Sequence, residues 1–417
     1  MIRRVSITGY KSLQAVTLRL EPLTVIFGPN AAGKSNLFDA LGLLSRICTS
    51  KTLGDAFDPH EHRGTPLEAF TYGPGGLDAL LNAKSAQFTM QVDVQLSPDV
   101  IETVETRIRQ LREGIADRRS KSPRKRVTER QLRYRITVET VPRTGVLRVI
   151  DEELIPLNPD GTVNQRRKPF IGHESGRLRL RMEGQARPTE HELGLDYTLI
   201  SSQLYPPYYP HITAFREELS RWYFYYLEPE RMRGESGIRE VGVVDRRGAD
   251  LAAFYYTLKQ QDLSKFHGIR KALSLLVPAV SGLDVHPTSS GLLELEIEEN
   301  GCRYSSRLAS EGTLRVLGLV GITRPLGQVS VVGYEEPENG VHPRRLKLIA
   351  DLLTQATVDS HIQFLVNTHS PILPDHLKTH ATLVACRQGP QGSIFEEVSP
   401  LFAEELSQRI LQGDFGG

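Results

Sequence analysis

Four short stretches of the 417-residue chain carry residue types whose spacing could do chemistry. The first runs Gly28, Pro29, Asn30, Ala31, Ala32, Gly33, Lys34, Ser35, Asn36, a GxxxxGK[ST] pattern. Its glycines let backbone N–H groups close around a phosphate at a helix start. Lys34 can neutralise β/γ-phosphate charge, and Ser35 can offer a hydroxyl to Mg²⁺. The second is Val331-Val332-Gly333-Tyr334-Glu335-Glu336-Pro337-Glu338-Asn339. Adjacent carboxylates at the end of an apolar run disfavour each other's ionisation unless a cation joins them. With Mg²⁺ present, Glu335 would hold the metal through water, and Glu336 would orient or deprotonate an attacking water. Taken by itself, this stretch is also an ordinary acidic turn.

The third stretch is Asn367-Thr368-His369-Ser370-Pro371, again after an apolar run. A lone histidine is more often structural, but at a strand end beside the other two motifs it can hydrogen-bond a γ-phosphate and the attacking water. The fourth is Leu308-Ala309-Ser310-Glu311-Gly312-Thr313-Leu314-Arg315, before an apolar helical run. Ser310 and Gly312 there make either an anion site or a plain helix cap.

The elements that must position these residues are legible as patterns. Residues 1–30 alternate like a β-meander and end in the continuous run Leu23–Phe27, a buried strand that enters the glycine loop. Leu37, Ala40, Leu41, Leu44 and Ile47 then recur at helical spacing. Strands are predicted at 88–96, around 134–150, at 222–227, 292–299, 329–333 and 362–367, and helices at 213–222, over 250–277 and at 343–357. Residues 105–135 hold twelve Lys/Arg against four acids, a local excess of eight, in a segment that reads as helical to about 119. Its bland reading is a solvated helix; its functional reading is a surface for nucleic acid or an acidic partner. The ends of the chain, 1–96 and 212–417, are expected to form one discontinuous domain, with 97–211 inserted as an arm or lid.

In order, GPNAAGKS, LASEGTLR, VVGYEEPENGVHP and NTHSP resemble the Walker A, signature, Walker B with D-loop, and switch-histidine motifs of ABC-type ATPases. The wording is similar to the branch containing RecF, the structural-maintenance-of-chromosomes (SMC) proteins and the overcoming-lysogenisation nucleases. Above all it resembles the short "AAA family" ATPases of bacterial defence and mobile loci. The match spans about 1–50 and 225–375. The resemblance implies an α/β P-loop head with an N-terminal antiparallel β subdomain and an inserted, partly helical basic region. It implies ATP and Mg²⁺ as cofactors, with the phosphate loop (28–36), Ser310 and Gly312 binding nucleotide, Ser35 and Glu335 holding metal, and Lys34, Glu336 and His369 catalysing.

It further implies that Ser310 and Gly312 reach ATP on a second subunit, so that the working unit is an ATP-dependent homodimer or a higher oligomer. The expected partner is a separately encoded effector, such as a nuclease, in anti-phage defence or DNA maintenance. Alternatives are an ATP-stabilised scaffold or sensor with incidental hydrolysis, and a RecF-like DNA-repair ATPase. Departures are SEG in place of SGG and Glu335 in place of Asp; Gln91 and Gln95 are the candidates for the Q-loop. No long heptad arm is present, and the 46 residues after Pro371 lack the acidic set of a Toprim nuclease.

Composition bounds the partners. Lys+Arg 51 against Asp+Glu 50 leaves a net charge of +1, so phosphate contacts must come from local patches. Three scattered cysteines argue against a disulfide framework or a zinc site. The expectation is a cytoplasmic protein, since no apolar run approaches the roughly 18 residues of a membrane span and no signal segment precedes the first strand.

Overall fold

The computed structural model describes residues 1–58, 63–70, 76–113 and 127–398. They form two compact units. The first comprises Met1–Leu20, Ala31–Trp222 and Arg387–Glu396; the second comprises Glu21–Asn30, Tyr223–Cys386 and the residues from Glu397.

The chain opens with β1 (Ile2–Tyr10), β2 (Leu13–Arg19) and β3 (Leu23–Phe27), then α1 (Lys34–Thr49) and the short helices α2 (Leu53–Ala56) and α3 (Gly76–Asn82). In the first unit follow β4 (Ala86–Gln95), α4 (Pro98–Glu113), β5 (Gln131–Val141), β6 (Val146–Pro156), β7 (Ile171–Glu174), β8 (Arg177–Leu180), β9 (Thr189–His191) and α5 (Pro210–Ser220). The sheet order is β2-β1-β4-β5-β6-β7-β8-β9, and its pairs are antiparallel. Alternation explains it: Val5, Ile7, Phe88, Met90, Tyr134 and Ile136 are buried, and the residues between them are mostly exposed or half-buried. Helix α4 buries one stripe, Val100, Val104 and Ile108, and packs with α5.

Two expectations are corrected here. The meander ends at β2, because β3 joins a different sheet. The break expected between residues 96 and 97 is also absent from the compact units. β4 and β5, which flank it, pair continuously from Ala86↔Thr140 to Gln95↔Gln131, so most of 97–211 completes the N-terminal sheet. Long cross-strand pairing outweighs the change in composition that suggested an insertion.

The second unit contains β10 (Trp222–Tyr225), α6 (Pro229–Met232), β11 (Ser236–Gly237), α7 (Leu251–Gln261), α8 (Leu263–Leu276), β12 (Val280–Pro287), β13 (Leu292–Glu299), β14 (Cys302–Ser305) and α9 (Glu311–Ile322). It continues with β15 (Val331–Glu335), α10 (Leu346–Ser360), β16 (Gln363–Thr368) and α11 (Ile372–Leu377); β17 (Thr382–Gly389) begins in this unit and ends in the first, and β18 (Gly392–Val398), mostly of the first unit, ends the described chain. The main sheet runs β10-β15-β16-β3-β17-β18, with β15, β16, β3 and β17 parallel. All five residues of β3 and all six of β16 are buried, as strands covered on both faces require. One apolar cluster joins Val25, Val332 and Phe364 of these strands to Phe254 of α7, Leu273 of α8, Leu317 of α9 and Leu353 of α10. A smaller antiparallel sheet is built from β11, β13, β12 and β14.

Candidate functional site at the strand ends

Register brings three of the four motifs to one edge. Glu335 of β15 lies opposite Asn367 of β16, and Thr368 of β16 lies opposite Phe27 of β3. The three strands are parallel and end level, so Gly28, Glu336 and His369 leave the sheet side by side. Ligands of open parallel sheets bind at this carboxyl edge.

The loop after β3 is shaped by its backbone. Gly28 has φ +152°, and a Cβ there would fall 2.0 Å from the carbonyl oxygen of Cys386. Within the first unit, Gly33 caps α1 at φ +105°, and a Cβ would sit 1.9 Å from Ser393 Oγ. Ala31 adopts φ +61° between them. The start of α1 has no side-chain cap and no acid in its first turn, which suits an anion at the positive end of the helix dipole. Lys34, the first residue of α1, is only 6% exposed. The Asn36 side chain has partners in its own unit: its Nδ2 donates to Ser12 Oγ at 2.8 Å, and Ser12 Oγ also pairs with Ser393 Oγ at 2.7 Å. Asn36 therefore braces the loop. The two Q-loop candidates lie in β4, where Gln95 Oε1 accepts from Arg3 at 2.6 Å.

The loop after β15 is shaped by side chains. Glu336 has φ +52°, an uncommon conformation for a residue with a Cβ. Its N–H donates to the Asn367 carbonyl at 2.9 Å. Its carboxylate is gripped at both oxygens: Asn339 Nδ2 donates to Oε2 at 2.6 Å, and His369 Nδ1 stands 3.3 Å from Oε1. Glu336 and His369, assigned to catalysis from sequence, are thus neighbours. Sequence reasoning gave no role to Glu338, Asn339 or Thr368. Glu338 is 9% exposed; its Oε1 accepts from Thr368 Oγ and from the Ser370 N–H at 3.2 Å. The available signal was a third carboxylate within four residues, more than one cation needs.

In the signature stretch, Ser310 is the N-cap of α9, and its Oγ accepts from the Thr313 N–H at 3.1 Å. The helix predicted there is present. Gly312 meets a requirement of its own chain: a Cβ on it would lie 2.5 Å from the carbonyl oxygen of Gly340, and one on Gly340, at φ +81°, would lie 2.3 Å from the Gly312 Cα. The two glycines let the start of α9 and the end of the acidic loop touch backbone to backbone.

Of the basic segment, Arg118, Arg119, Lys121, Arg124, Lys125 and Arg126 lie outside the described residues. Part of the remainder is neutralised. Arg133 makes a two-pronged pair with Asp93 at 2.6 and 2.7 Å, and Arg135 pairs with Asp151 at 3.2 Å and Glu153 at 3.4 Å. Arg107 and Arg109 remain exposed on α4.

Ser35 and Glu335, each taken by itself, offer the kind of oxygen ligand that Mg²⁺ prefers. Among the described residues no group of three or more His, Cys, Asp or Glu side chains could hold a metal. Among the same residues no helix is long and apolar enough to cross a membrane.

The fold is the α/β fold of SMC head domains. An Smc head bound to the C-terminal winged-helix domain of ScpA superposes with a TM-score of 0.54 at 12% identity, covering 97% of this chain and 99% of that one. The Smc head derived from Pyrococcus furiosus, with an extended coiled coil and the C-terminal domain of ScpA, gives 0.51 at 13%, covering 98% and 99%. No curated protein matches the chain significantly. The chain belongs to the family described as "AAA domain, putative AbiEii toxin, Type IV TA system", whose model matches residues 23–144 and 183–375.

Proposed function

We propose that the protein is a Mg²⁺-dependent ATPase that closes into a head-to-tail homodimer around nucleotide and so gates a separately encoded effector. The observation that carries this reading is the common edge at which the glycine loop, Glu336 and His369 emerge from three level parallel strands.

In this reading the backbone of 28–33 and Lys34 bind the β- and γ-phosphates, and Ser35 and Glu335 are the metal ligands. Bound Mg²⁺ supplies charge neutralisation on the transferred phosphoryl group. Glu336, held by Asn339 and His369, orients the attacking water and takes its proton. His369 Nδ1 faces Glu336 and leaves Nε2 for the γ-phosphate or the water.

In this reading closure onto a second copy covers Leu308, which is 78% exposed two residues before Ser310. Gly312 is a poor probe of that interface because any side chain there clashes within the chain. Leu308→Glu is the sharper one: ATP-dependent dimers on a sizing column should be lost while monomer ATP affinity stays. Dimers formed equally by both proteins would contradict the shared site. The toxin–antitoxin wording of the family description supports placing the effector in a defence or mobile locus, with a nuclease as the expected class. Arg107 and Arg109 of α4 and the exposed Arg130 belong to the described part of a surface for DNA or an acidic partner. Changing Arg118, Arg119, Arg124, Lys125 and Arg126 to Gln should weaken DNA binding and flatten its salt dependence.

A further inference from the structure

We propose that Glu338, outside the roles assigned above, is the positioning residue that fixes His369 against Glu336 and thereby sets the turnover rate. The inference rests on the hydrolysis reading but is carried by its own geometry. Glu338 Oε1 accepts from Thr368 Oγ and from the Ser370 N–H at 3.2 Å, the residues immediately before and after His369. One carboxylate oxygen therefore straps the loop after β15 to both sides of the histidine. The imidazole lies between two acids, with Nδ1 3.3 Å from Glu336 Oε1 and 3.8 Å from Glu338 Oε1.

Burial makes this placement informative. Glu338 is 9% exposed, and its other oxygen, Oε2, is buried with no hydrogen-bond partner among the described residues. An orphaned buried oxygen is destabilising. The polar contacts of this side chain are therefore those that Oε1 makes. The Ser370 N–H is shared with Thr368 Oγ at 2.9 Å, so the three groups form one knot that opposes movement of 368–370 and favours the Nδ1–H tautomer facing the carboxylates. Glu336 is held separately by Asn339 at 2.6 Å, so the strap acts on the histidine side of the pair.

The test compares Glu338→Ala, Glu338→Gln and Glu336→Gln in the full chain. The readouts are kcat, KM, ATP affinity and the ¹⁵N resonances of the His369 ring in the nucleotide-free protein. Glu338→Ala should lower kcat by about tenfold or more, as for lost supporting partners of other site histidines. Its KM and ATP affinity should stay within about twofold, and its ring should average between tautomers. Glu338→Gln keeps an acceptor for Thr368 Oγ and the Ser370 N–H, so it should recover most of kcat and the single tautomer. A Glu338→Gln protein as slow as Glu338→Ala, or an Ala variant with unaltered kcat and ring resonances, overturns the proposal. If Glu338→Ala fails to fold, the Gln variant and its ring signals still decide. Turnover that survives Glu336→Gln sinks the hydrolysis reading instead, and the tautomer then tests the strap alone.

Discussion

The loop that leaves β3 and the loop that leaves β15 start level in one parallel sheet, yet they are held by different means. The first is defined by atoms it lacks: Gly28 and Gly33 occupy places where a Cβ would lie about 2 Å from another atom, 2.0 Å at Gly28 and 1.9 Å at Gly33. The second is defined by side chains. Glu336 is gripped by Asn339 and His369, and Glu338 is anchored at Thr368 and Ser370. A site made by backbone should tolerate almost no substitution at its glycines and its single cation. A site made by side chains should lose rate before it loses binding.

The largest expected effect breaks the first loop. Lys34→Ala removes the ammonium of a buried residue at the start of α1 and should lower ATP affinity by about 100-fold or more, read by calorimetry. Binding within a few-fold of wild type would show that the backbone cradle suffices alone. The next effect joins the second loop to α9. Gly312→Ala and Gly340→Ala each force an atom into a 2.5 or 2.3 Å approach, so each should destabilise the protein by about 1–3 kcal/mol in urea unfolding. Gly340→Ala should be the worse, because φ +81° adds strain. The double variant should fall short of the sum, since both changes open the same contact.

These expectations show what was legible in the sequence. The glycine loop announces itself because phosphate cradling needs fixed residue types at fixed spacing. Its strand and helix follow from Leu23–Phe27 and the periodicity after Lys34. The parallel order of β15, β16 and β3 was not legible, since an apolar run does not state its neighbours. Most of 97–211 was misplaced for the same reason: β5 belongs to β4 through long-range pairing that composition does not record. Glu338 was hidden because a carboxylate in an acidic turn looks the same whether solvated or buried. Gly312 carries a demand that its motif does not display, a close backbone approach to Gly340.

A smaller effect sharpens the contrast from the first unit. Glu152 is buried like Glu338, but both its oxygens are used: Leu199 N–H donates at 2.6 Å, Ile200 N–H at 3.0 Å and Tyr134 OH at 3.1 Å. Burial pushes its carboxyl from 4.5 up to about 7, although those bonds pull it down. Folding then favours the protonated form, so its contribution to stability is fully present below pH 4.5 and is lost as pH rises to about 7. Across that window the wild type should lose on the order of 3 kcal/mol relative to Glu152→Gln in urea unfolding. Parallel curves for the two proteins would contradict the placement. The smallest effect concerns thiols. Cys302 is exposed, whereas Cys48 and Cys386 are buried and burial pushes the Cys48 thiol up. A thiol reagent should therefore label only Cys302 quickly in the native protein.

The central claim is that the acidic loop carries the chemistry while the glycine loop carries the binding, and Glu336→Gln tests it most directly. ATP affinity should stay within about threefold of wild type, turnover should fall by about 100-fold or more, and ATP-bound dimer should accumulate. Unchanged turnover, or loss of ATP binding together with turnover, would contradict the account.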